Sequence, residues 1–170
     1  MKILDEINKA REYLDYIEEH VLNVRKSWEE LKIKCKDMRF IWDDFYYFSI
    51  ENAIIYHDLS KMSEQEFIQY RKTFYPTDDE AKKGKFDISS AWDHHIINNP
   101  HHWENWSTIP VRKSPVDFEV HCVCMICDWM AMGYKFGDTA QQYYEKNKDR
   151  INIPEAAIPF MYEIFNRIGA

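Results

Sequence analysis

His57 and Asp58 set an imidazole beside a carboxylate at the end of an apolar, aromatic run, FIWDDFYYFSIENAIIY, and the polar turn Leu59-Ser60-Lys61 follows them. One borderline donor and one hard donor, held at the end of a packed element, suit Zn, Fe, Mn or Mg better than a structural thiolate site would. Six further residues of ligand type lie upstream and downstream in helical surroundings: His20, His94, His95, His101, His102 and Asp128. Two of the four cysteines, Cys122 and Cys124, would point to nearly opposite sides of a helix. Their ordinary reading, with Cys35 and Cys127, is as small buried hydrophobes.

The elements that must position these residues follow from apolar spacing. From Ile3 to about Cys35, apolar residues recur at three- and four-residue intervals, giving one long amphipathic helix or two joined by a kink, with His20 close to the apolar stripe. Lys36-Asp37 offers a break. A second helix, about Met38 to Tyr56, is apolar and aromatic on several sides, as a buried element would be, and His57 and Asp58 fall at its C-terminal end, where cations are favoured. Ser63 with Glu66 reads as a capping box opening a helix through about Thr73. Tyr75-Pro76 ends that helix, and TDDEAKKGK is a solvated stretch, read either as a lid or as a surface connector.

Asp87 or Ser89 caps a helix that carries His94 and His95 to about Asn98, and Asn99-Pro100 breaks it just before His101-His102-Trp103. Two His-His pairs in so short a stretch point to a site, although histidines lining an aromatic crevice would give the same pattern. The members of each adjacent pair point apart, so one of each is expected to bind a given ion. Ser114-Pro115, with Asp117 and Glu119 behind it, starts a helix running to about Met132 or Tyr134, where Gly133 helps to stop it. Asp128 sits in that helix among apolar residues, where a carboxylate is costly unless it is paired or binds a cation. His121 and Cys124 share its face, which makes a structural His-Asp network the competing reading. Amphipathic helices over Asp138–Lys148 and Pro154–Ile168 complete the chain, with Pro154 placed as a first-turn residue.

The chain of 170 residues is long enough for one domain with a real core, and 16% aromatic residues with only four glycines favour a packed helical globule. With 22 basic against 29 acidic side chains the formal charge is −7, so no footprint for duplex nucleic acid is expected. MKILDEINKAREYL lacks the apolar core of a signal peptide, and no stretch is long enough to span a bilayer. The expectation is a cytoplasmic protein with reduced thiols and no membrane partner. Exposed aromatics would leave homo-oligomerisation open.

The order His20, His57-Asp58, intervening histidines and then Asp128, each near a helix, resembles the HD-domain superfamily of metal-dependent phosphohydrolases over roughly Glu19 to Trp129. The resemblance implies an all-α, single-domain HD-like bundle over 1–170 with about six to eight helices. It implies metal ligation by His20, His57, Asp58 and Asp128, with His94, His95, His101 and His102 available for a second ion. HDLSK looks like the His-Asp-x-Gly-Lys form found in cyclic-dinucleotide phosphodiesterases of the superfamily, where the position of Lys61 meets phosphate. Ser60 replaces that glycine, and the Gly-Tyr-Pro segment of those enzymes is missing. HDLSK and HHIINNPHHW together look most like an uncharacterised bacterial and phage family with no assigned substrate.

In such a site two imidazoles and two carboxylates around one divalent ion leave positions for water and a phosphate oxygen. A second ion, bridged by Asp58, would clamp attacking and leaving oxygens, and Lys61 would act as a point charge. Trp103 or Trp106 would form the wall of the site or stack on a base. The expected activity is therefore hydrolysis of a nucleotide or another small phosphate ester by metal-activated water, with one or two divalent ions (Mn, Fe, Zn, Mg or Co) and with Asp58 and Lys61 in catalytic roles. Two rivals stand beside it: a di-iron oxygenase on the same scaffold, and a non-catalytic protein that binds metal or nucleotide.

Overall fold

A computed structural model describes residues 2–108 and 115–169, and the described residues form ten α-helices and two 3₁₀ turns with no strand. The all-α class is as expected. The helices outnumber the six to eight expected because three of them have at most six residues, too few to carry a readable period. No helix among the described residues is long and apolar enough to cross a membrane.

Helix α1, Lys2–Lys34, is assigned as one helix of 33 residues rather than two. The aromatic run that follows is two helices rather than one: α2, Arg39–Trp42, and α3, Asp44–Ile55. Asp43 divides them by taking an extended conformation and accepting a hydrogen bond from the Phe45 N–H at 3.0 Å, so it caps α3.

The helices fall into two compact units. The first comprises Met1–Val21 and Asp58–Asn99. Here a 3₁₀ turn, Leu59–Met62, leads into α4, Glu64–Phe74; the four-residue α5, Asp78–Ala81, and α6, Ser89–Asn98, follow. Helix α4 packs against both α6 and the 3₁₀ turn, and Tyr13, Tyr70 and Ala91 form the apolar centre. The stretch TDDEAKKGK is not simply solvated. Thr77 closes a capping box with Glu80, whose buried carboxylate takes a bidentate contact from the Arg71 guanidinium at 2.5 and 2.8 Å. Arg71 lowers the Glu80 carboxyl to about 2, outweighing the effect of burial, and the Thr77 N–H assists.

The second unit comprises Leu22–His57 and Pro100–Ala170. Its later helices are α7, Trp103–Thr108; α8, Pro115–Phe136; α9, Ala140–Asn147; and α10, Ile158–Ile168. Helix α8 packs against α3, α9 and α10, and residues such as Trp28, Phe40, Ile126 and Phe165 lie fully inside. Helix α3 is less buried than its composition suggests. Tyr46, Ile50 and Ile54, four residues apart, face the core, whereas Phe45, Phe48 and Ile55 remain half or more exposed.

The four thiols are free and buried, and burial drives each away from ionisation, Cys124 to about 12. They are packing residues. Gly133 does not stop α8: a Cβ there would lie 2.2 Å from the Asp138 carbonyl oxygen, so its role is close approach. The stop is Gly137, left-handed at φ 87°, whose N–H returns to the Gly133 carbonyl. Pro154 precedes a 3₁₀ turn, Glu155–Ala157, and Pro159 takes the first-turn place in α10. The Ser114 cap lies outside the described residues, as does the side chain of Asp117.

Candidate metal centre

The backbone at the doublet is unusual. Helix α3 ends at Ile55, and Asp58 then adopts φ 58°, ψ 20°, the left-handed conformation that a non-glycine residue seldom takes and that Asp and Asn tolerate best. This reversal starts the 3₁₀ turn that carries Ser60 and Lys61.

In the first unit the Asp58 carboxylate is buried and is met by an imidazole nitrogen on each oxygen. The Nε2 of His20, from α1, lies 3.3 Å from Oδ2, and the Nε2 of His95, from α6, lies 3.4 Å from Oδ1. Lys61 brings its ammonium to 2.6 Å from Oδ2 and also lies over the Tyr16 ring. The His20 ring is stacked on Tyr16, which fixes its plane. Donor atoms of Asp58 and His20, and of Asp58 and His95, lie within 4.8 Å of each other, close enough to share an ion.

Behind them sits Glu66, fully buried on α4. The Nδ1 atoms of His94 and His95 lie 2.7 and 2.8 Å from its two oxygens. Burial alone would raise this carboxyl, but hydrogen bonds from His95, His94 and Ser60 outweigh it and hold the group below its ordinary range. The adjacent histidines therefore divide as helix geometry requires: the side chain of His95 is 3% exposed and faces Asp58, while that of His94 is 31% exposed.

In the second unit the Nε2 of buried His57 lies 3.7 Å from Oδ1 of Asp128 on α8. The His57 ring stacks on His101 with centroids 4.2 Å apart, and His101 contacts the His102 ring at 4.5 Å. Trp106 is a buried wall residue: its indole donates to the Pro100 carbonyl and its ring meets Phe118 edge to face.

Of the residues singled out from the sequence, His20, Asp58, Lys61 and His95 come together in one unit, and His57, His101 and Asp128 in the other. Glu66 was missed. It reads as the third residue of a capping box, yet Ser63 makes no side-chain cap and the Glu66 carboxylate turns inward. The available signal was its place four residues before the buried Tyr70, on the inner face of α4.

A carboxylate with an imidazole Nε2 at each of its oxygens fits divalent ions of borderline to hard character, one at either oxygen. No curated protein and no solved structure matches the chain. Residues 9–168, nearly the whole chain, match a family of unknown function, DUF5662, and the chain belongs to it.

Proposed function

We propose that this chain is a metal-dependent phosphohydrolase acting on a nucleotide or another small phosphate ester. The observation that carries the reading is Asp58: a buried carboxylate with a histidine Nε2 at each oxygen and a lysine ammonium at 2.6 Å. Burying this many polar and charged groups together is costly unless they are paired or bind a cation. In the first unit Asp58 would share one ion with His20 at Oδ2 and a second with His95 at Oδ1, and His57 with Asp128 would supply donors in the second. A divalent ion so held supplies Lewis-acid polarisation of a phosphoryl oxygen and an acidified water. Asp58 orients the imidazoles and carries the negative charge. Lys61, on the same turn, is placed to move its charge from Asp58 to a non-bridging phosphate oxygen when substrate arrives.

Metal analysis of the wild type and of Asp58→Asn tests this. About one or two equivalents of a divalent metal per chain in the wild type, lost in the variant, with phosphate release from a nucleotide panel, is the expected result. No metal in the wild type after reconstitution would sink the reading. Iron with dioxygen uptake and no phosphate release would favour an oxygenase, and metal or nucleotide binding without turnover would favour a sensor. Lys61→Ala should keep the metal and raise KM about tenfold to hundredfold, the worth of a charge-assisted hydrogen bond. Loss of metal in that variant would show that Lys61 acts on the ligands instead.

A further inference from the structure

We propose that the outward face of α3 is the contact between two copies of this chain, paired in register about a two-fold axis. Helix α3 is apolar on two sides. Tyr46, Ile50 and Ile54 turn into the second unit, whereas Phe45, Phe48, Asn52 and Ile55 form a second stripe that is exposed. The helix has no basic residue, and its only acids are Asp44, in the first turn, and Glu51, which accepts from the Trp28 indole. The outward stripe is therefore uncharged, where a surface helix ordinarily carries its charges, and a helix apolar on every side is ordinarily buried. Trp42 and Tyr56 flank the stripe in sequence, and they, Phe45, Phe48 and Ile55 are each 50–65% exposed. At about 200 Å² for a large side chain, these five leave about 600 Å² of apolar surface in water, against about 800 Å² per partner in a standard interface.

Phe45, Phe48, Asn52 and Ile55 follow one another at intervals of three, four and three, the a-d-a-d spacing of a coiled-coil seam, with Asn52 at an a position. An amide carries donors and an acceptor, so it is complementary to a second copy of itself. Parallel pairing about a two-fold axis sets like against like, and Asn52 meets the Asn52 of the other copy. Antiparallel pairing about the midpoint of the stripe would set Asn52 against Phe48 and leave the amide buried without a partner. In the parallel register Asp44 and Glu51 flank the seam opposite Ser49 and Tyr56 of the other copy, so no like charges face each other. A lipid surface fits less well. Such a face needs basic flanks, and this one begins at Asp43-Asp44 in a chain of formal charge −7. The dimer goes beyond the metal reading and does not depend on it.

Sedimentation equilibrium of the full-length protein tests the pairing. A mass near twice the 20.7 kDa of one chain is expected at micromolar concentration, as contacts of this size give. A wild type that stays monomeric at about 100 μM overturns the proposal. Phe48→Glu puts a charge inside the seam. Because Phe48 lies outside the core, the variant should keep its helicity while association weakens about hundredfold or more. A dimer of unchanged affinity in that variant is formed by another surface, which also overturns the proposal. Asn52→Cys reads the register: its thiol should cross-link to that of the other copy on mild oxidation, while the four native cysteines, being buried, stay out of the reaction. Absence of the cross-link in a dimeric Asn52→Cys protein overturns the parallel pairing. If Phe48→Glu does not fold, the wild-type mass and the cross-link decide.

Discussion

Asp58 combines two demands in one residue, a carboxylate for its partners and a left-handed backbone for the turn. The two demands can be separated by substitution. Asp58→Asn keeps a side chain that tolerates positive φ and removes the charge that Lys61 contacts at 2.6 Å, so it should lose the proposed metal and also unfold below the wild type. Asp58→Gly should be about 1 kcal/mol more stable than Asp58→Ala, because Ala alone pays the left-handed penalty. Thermal unfolding of the three variants checks this, and equal stability of the Gly and Ala forms would mean that the turn relaxes. The sequence made Asp58 legible because His-Asp is a recognisable pair of donors. It hid Glu66, because a Ser-x-x-Glu motif has a surface explanation that satisfies the local pattern, and only the fold shows that the carboxylate points inward.

At the scale of elements, long periodic helices were readable and short ones were not. Helices α1, α8 and α10 carry stripes over many residues, whereas α5 is a single turn held by Thr77, Glu80 and Arg71. The Asp43 cap was masked by aromatic residues on both sides of it. The α5 anchor has a definite pH signature. The folded-state pKa of Glu80, about 2, lies below its ordinary 4.5, so its contribution is fully present above pH 4.5 and is lost as the pH falls towards 2. Arg71→Ala leaves Glu80 buried without its partner and should cost about 3–5 kcal/mol at pH 7. Near pH 2, where Glu80 is about half protonated even in the wild type, the difference should shrink; urea unfolding at the two pH values gives the comparison, and a constant difference would assign the loss to packing.

For the whole molecule, all four cysteines lie in the second unit and are buried. A thiol reagent added to native protein should therefore label none of them within minutes and all four in denaturant, reporting on the opening of that unit. Rapid native labelling would contradict the buried α8. The chain passes between units after Val21, after His57 and after Asn99, and each passage lies within two residues of a candidate ligand. Neither unit is one continuous stretch, so neither can be excised by a single cut. That partition was not legible in a sequence without glycine-rich linkers. The left-handed turn at Asp58 also limits how the family can drift. Lineages that abandon the proposed metal site would be freed from keeping a carboxylate but not from keeping the turn. Their descendants should therefore carry Asn or Gly after His57 more often than Ala, Val or Ile, and a doublet degraded to His-Asn or His-Gly would mark the loss of the proposed site in a fold that persists.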